Sequence, residues 1–135
     1  MAREICFRGK SKSTGEWVEG YYVGDNTIIP FNEVVYDMGC IDTSPCHECY
    51  PDTIGQFTGL YDKNGKEVWE GDVIHDTDSE GRDIIHYVTY RDAAFIGVLK
   101  GHPLFSHSTL TQSWMIECEK EVIGNIHDNP ELLEK

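Results

Sequence analysis

Along the first thirty residues, apolar positions recur at nearly every second place. In EICFRG, Ile5 and Phe7 share one face while Glu4, Cys6 and Arg8 take the other. KSKSTG then supplies turn residues, and EWVEGYYVG resumes the extended pattern with Trp17, Val18, Tyr21, Tyr22 and Val23. Alternation at period two, bounded by Gly and Ser, predicts a β-hairpin. TIIP at 27–30 predicts a third extended piece, discouraged from continuing by Pro30, which has no N–H to give a ladder.

Residues 37–52, DMGCIDTSPCHECYPD, break the pattern with Gly, Ser, Pro and Asp. They read as a long loop and a boundary between an N-terminal hairpin lobe, residues 1–50, and a C-terminal lobe, residues 51–135. In the second lobe QFTGLYD and KEVWEGD flank Asn64-Gly65. That dipeptide tolerates the positive φ of a type I′ turn, whose twist matches its flanking strands. DVIHD predicts a strand, DSEGRD a second turn, and DIIHYVTYR with AAFIGVL a strand pair turning near Asp92. Residues 101–112 are less periodic and read as a loop with a helical turn. EVIGNI predicts a last strand; Asn129 and Pro130 then stand where a helix cap and first helical residue belong. Short strands, a turn about every ten residues and little helix predict a mainly β chain, a small barrel or sandwich.

Charge narrows the partners. Eleven Lys and Arg against 24 Asp and Glu leave −13 over 135 residues. Such a surface repels phosphate backbones, so no direct nucleic-acid partner is expected. Arg3, Arg8, Lys10 and Lys12 cluster, and read as the solvated side of a hairpin. MAREICFRGK lacks the apolar core of a signal peptide, and no run approaches the ~18 apolar residues of a membrane span. The expectation is a cytoplasmic protein without a membrane partner. Five cysteines in such a chain suggest free thiols or a partial metal site rather than a disulfide framework.

The stretches MAREICFRGK…GEWVEGYYVG, DTIGQFTGLYDKNGKEVWEGDVI and EVIGNIHDNPELLE together resemble the YopX protein family, which is found largely in prophages, phages and other mobile elements of bacteria. The long central motif carries most of the likeness. The resemblance implies a β-rich α+β fold whose C-terminal part is an SH3-like small barrel, and it brings no activity or ligand. The matching residues Gly55, Gln56, Gly59, Asp62, Asn64, Gly65, Glu70, Gly71 and Asp72 suit turns and hydrogen bonds rather than catalysis.

Cys46-His47-Glu48-Cys49, with Cys40 six residues upstream, is the sharpest candidate for chemistry. C-x-x-C lets two thiolates meet one tetrahedral zinc, with Cys40 as a third ligand and His47 or Cys118 as a fourth. A strong zinc signal has two such pairs, and here there is one. Asp76, Asp78 and Glu80 before Gly81 imitate the start of a calcium loop, but position 12 is Tyr87 where a bidentate Glu is needed, so an acidic turn accounts for them better. No nucleophile elbow, zinc-protease helix or phosphate-binding loop is present. His75, His86 and His107 are the histidines a hydrolase would use. The aromatic residues remain: Trp17 and Trp69 read as core, and Tyr22, Tyr61 and Tyr90 as exposed partner contacts, since a groove of surface aromatics in an SH3-like barrel holds extended peptides.

The sequence thus favours a non-enzymatic protein-binding module. A zinc-stabilised recognition loop on Cys40, Cys46 and Cys49 is the first alternative and an enzyme of unknown class the second. Short edge strands and a lean core also leave homo-oligomerisation open.

Overall fold

Extended backbone dominates the chain, as the alternation predicts. The computed structural model describes residues 5–31, 46–101 and 108–134 with their side chains, and residues 35–37, 40–42 and 107 by backbone alone. By its internal contacts the chain divides into two units, Met1–Phe57 and Thr58–Lys135.

In the first unit, β1 (Phe7–Lys10), β2 (Trp17–Gly24), β3 (Thr27–Pro30) and β6 (His47–Glu48) lie side by side in the order β6-β3-β2-β1, all antiparallel. β4 (Val35–Asp37) and β5 (Cys40–Asp42) form a separate hairpin. The first residues of β7 (Gly55–Tyr61) pair with β1 through Gly55 and Gln56. Asp25 and Asn26, at φ 51° and 59°, make the two-residue type I′ turn from β2 to β3. Gly20 is required by close approach: a Cβ there would lie 1.9 Å from the Ile29 carbonyl oxygen. Ile28, Ile29, Cys6, Cys49 and Phe57 are buried.

One expectation is corrected here. Residues 37–52 are not a plain loop, for they include β5, β6 and a 3-10 turn at Pro51–Thr53. Strands two or three residues long are too short to show alternation, and backbone pairing forms them: Cys49 N–H donates to Asn26 O (2.7 Å) and Tyr50 N–H to Lys10 O (2.9 Å). At the N-terminus Ile5 is half exposed while Cys6, on the other face, is buried.

The second unit holds the remainder of β7, then β8 (Glu67–Trp69), β9 (Asp72–Thr77), β10 (Asp83–Arg91), β11 (Ala94–Leu99), β12 (His107–Thr109), helix α1 (Gln112–Glu117) and β13 (Glu121–Asn125). Its main sheet runs β12-β11-β10-β9-β13, antiparallel throughout. Among the described residues β12 and β13 are its two edges, so the sheet is open rather than a closed barrel. Val68, Ile74, Val88, Leu110, Met115 and Val122 form the core, with Leu60, Phe95 and Trp114 packed against it. No helix among the described residues is long and apolar enough to cross a membrane.

The turn at Asn64-Gly65 differs from its expected type. Only Gly65 has positive φ (79°); Asn64 does not. Asp62 N–H donates to Lys66 O (2.8 Å) and Gly65 N–H to Asp62 O (3.0 Å), a three-residue loop closed by a left-handed glycine. The Asp62 carboxylate selects it by accepting from Asn64 N–H (2.8 Å) and Lys66 N–H (2.9 Å). Asp78-Ser-Glu-Gly81-Arg82 repeats the device. Asp78 N–H meets Arg82 O, Gly81 N–H meets Asp78 O, and Asp78 Oδ1 accepts from Glu80 and Arg82 N–H groups. An aspartate four residues before a basic residue, with glycine between, therefore builds both hairpins through an Asx-type turn.

Candidate functional site

A buried polar cluster of the second unit was not singled out by sequence pattern. Asp76 lies on β9 and His86 on β10, and the register pairs His86 with Ile74 and Asp76 with Ile84, placing both on the core-facing side. Trp114 comes from α1, whose N-cap Thr111 accepts the Trp114 N–H (3.0 Å). Lys120 follows the helix. Glu119, at φ 52°, ends α1 in the left-handed conformation, with Glu119 N–H on Ile116 O and Lys120 N–H on Met115 O. This is a Schellman ending made without glycine, and it turns Lys120 inward.

There the Lys120 Nζ donates to Asp76 Oδ1 at 2.8 Å and stands 4.2 Å from the Trp114 ring centroid. Both partners are nearly shut off from solvent. The His86 ring meets Trp114 edge-on at 5.1 Å, and its buried Nδ1 has no hydrogen-bond partner. Burial pushes the His86 pKa down to about 4; the Lys120 charge adds to the fall and Asp76 opposes it. At neutral pH the imidazole is uncharged, and the cluster is one buried ion pair beside a neutral ring. Its chemistry is suited to holding α1 and β13 on the sheet.

The remaining candidates fall as follows. Cys46 is exposed and Cys49 buried, its thiol raised above the usual range by burial and then by the charge of Glu48. The segment between them is β6, and in a strand residues three apart point to opposite faces. These two thiols are therefore not brought together, and the Cys40 side chain lies outside the described residues. Among the described residues no three His, Cys, Asp or Glu converge as a metal site. Cys118 is free and exposed. His47 Nδ1 is occupied by the buried Ser11 hydroxyl (3.0 Å).

In the acidic turn, Asp78 is committed to backbone and to Arg82 Nε (2.7 Å), and its carboxyl is held below the usual range, first by the Arg82 backbone N–H. His75 Nε2 pairs with exposed Asp83 (2.9 Å), and the His107 side chain lies outside the described residues. Trp69 is buried as expected, but Trp17 is only half-buried, with the Arg8 guanidinium 4.6 Å from its centroid.

Tyr22, Tyr61 and Tyr90 are all exposed. Tyr22 packs on Phe7 (5.6 Å) and Tyr90 on Phe95 (5.1 Å). The Tyr61 backbone is bound on both sides by one side chain: its N–H donates to Gln112 Oε1 (3.0 Å) and its O accepts from Gln112 Nε2 (2.8 Å). Sequence reading passed over Lys120 because a lone lysine after a helix looks like any solvated charge. The one available signal was its position between the helix end and an apolar strand.

Comparison with known proteins adds to this geometry. The crystal structure of protein EF1440 from Enterococcus faecalis is similar over 98% of this chain and 100% of that one, at 28% identity and a TM-score of 0.65. No curated protein matches significantly. The family model described as YopX protein matches residues 6–134. With nearly the whole length matched, the chain belongs to the YopX protein family.

Proposed function

We propose that this chain is a non-enzymatic protein-binding module of a bacterial mobile element, acting in the cytoplasm on a protein partner through an acidic, aromatic surface. The observation that carries the reading is the exposure of Tyr22, Tyr61 and Tyr90, at 42%, 41% and 52%, in a chain of charge −13. Aromatic side chains at such positions are the common anchors of protein interfaces. Support comes from the other side too, since Asp62, Asp76, Asp78 and Lys120 are engaged in the fold. The SH3-like reading of the second unit belongs to the same proposal. Its support is the strand order, in which the last strand β13 returns beside the first, β9, as it does when a meander curls toward closure.

A photo-crosslinking amino acid at Tyr61 or Tyr90, in cells carrying the intact protein, tests the reading. The expected result is one discrete crosslinked protein shared by the two positions and missing when the probe replaces exposed Lys66. The same products from all three positions would overturn it.

A further inference from the structure

Asn64-Gly65 is the chain's single Asn-Gly step, and both residues are exposed. An asparagine before glycine converts without an enzyme when the backbone between them is free, because glycine has no side chain to hinder the attack. The Gly65 nitrogen gives up its proton and bonds to Asn64 Cγ; the Cγ–Nδ2 bond breaks and ammonia leaves with that proton. Water then opens the cyclic imide at either carbonyl, giving aspartate or isoaspartate. Water is consumed, ammonia is released and nothing is oxidised.

The closed turn withholds both requirements of the first step, a free Gly65 N–H and a backbone at Asn64 that can rotate. Gly65 N–H donates to Asp62 O at 3.0 Å. The Asp62 carboxylate takes the Asn64 N–H at 2.8 Å and the Lys66 N–H at 2.9 Å, one on each side of the reacting bond. Its negative charge also opposes the amide anion through which the attack passes. Packing supplies no cover, since a Cβ built on Gly65 would meet nothing within 4 Å.

We propose that Asn64 is a latent self-modification site of this chain, with water as its reactant, held silent by Asp62 and released when the turn opens. Conversion runs one way, so it marks the chains whose turn has opened. It adds a negative charge at residue 64, and as isoaspartate it inserts a backbone carbon that displaces the Lys66 N–H from Asp62. Asp62 Oδ2 also accepts the buried Val122 N–H at 2.9 Å, so a mark at the exposed turn loosens β13. The Asp78 turn, built alike, carries Glu80 before its glycine and lacks this chemistry. The site is independent of the partner proposed above.

Peptide mapping by mass spectrometry of the full chain, incubated in warm neutral buffer, tests it. Conversion at residue 64 is expected to be at least about tenfold slower in the native chain than in the same chain unfolded in guanidinium chloride. That is the factor one or two net hydrogen bonds provide. Asp62→Ala, which removes the side-chain acceptor, should bring the folded chain close to the unfolded rate. Asp62→Asn separates the turn from overall stability: it keeps an oxygen for the turn and gives up the Val122 bond, so residue 64 should stay slow. Should Asp62→Ala misfold, the native-to-unfolded ratio and Asp62→Asn still decide. A native chain or an Asp62→Asn chain that converts as fast as the unfolded one, or a folded Asp62→Ala chain as slow as the unaltered one, would overturn the proposal.

Discussion

Lys120 Nζ and Asp76 Oδ1 meet at 2.8 Å although 44 positions separate them in the chain. The pair is buried, and a buried pair contributes less by forming than it costs to break. Lys120→Ala leaves the Asp76 carboxylate beside the core without its cation, for a loss of about 3 kcal/mol. Lys120→Met combined with Asp76→Leu removes both charges, and its stability is expected to lie much nearer the wild type. Urea midpoints of the three proteins check this; a double variant as weak as Lys120→Ala would contradict it.

His86 sets a pH dependence. Its pKa is lowered from 6.5 to about 4 in the fold, so on acidification the unfolded chain takes up the proton first. Stability is full above about pH 6.5 and falls as the pH drops to 4, by about 3 kcal/mol in all at 1.36 kcal/mol per unit. Carboxylates contribute to acid unfolding too, so the informative quantity is the difference from His86→Phe. That variant is expected to lose this part of the slope between pH 6.5 and 4. Equal slopes in the two proteins would remove His86 from the account.

Asp62 and Asp78 serve the same kind of turn, but Asp62 is buried and its Oδ2 also accepts the Val122 N–H (2.9 Å). Asp62→Asn keeps an oxygen for the turn and aims an NH2 at that buried N–H. The expected loss is about 2 kcal/mol, the cost of an unsatisfied buried donor. Asp78→Asn leaves a side-chain oxygen for its own turn and should shift the midpoint far less. Hydrogen exchange at Val122 separates the effects: it rises in Asp62→Asn and stays unchanged in Asp78→Asn.

Glu119 adopts φ 52° at the end of α1, a conformation that costs a side chain roughly 1 kcal/mol. Glu119→Gly should therefore raise stability by about 0.5–1 kcal/mol. A thermal melt with unchanged circular dichroism below the transition checks the gain, and a lower melting temperature would refute it.

The thiols offer a direct test of β6. Cys46 and Cys118 should react with maleimide in the native protein, whereas Cys6 and Cys49 should react only after unfolding. Peptide mapping by mass spectrometry reads the four sites separately. Metal analysis of the same preparation is expected to find no stoichiometric zinc, and protection of Cys46 that a chelator abolishes would restore the zinc-bound loop.

Local chemistry was legible in the sequence because local interactions decide it. Alternation located β2, β3, β9, β10, β11 and β13 to within a residue and β1 to within three, and the central motif marked the family. The glycine and aspartate of each Asx-type turn were visible too, although the exact turn at Asn64-Gly65 depended on where the Asp62 carboxylate reached. The short strands β5 and β6 could not be read, because two or three residues are too few to show alternation, and β6 is formed by pairing with the distant β3 rather than called for by its own side chains. The buried cluster lay equally out of reach. Asp76, His86, Trp114 and Lys120 are unremarkable polar and aromatic residues until antiparallel register and the helix ending bring them together. Sequence determined which segments extend and where they turn; tertiary structure alone decided which charges are buried, since burial depends on what packs above a residue and not on its neighbours in the chain.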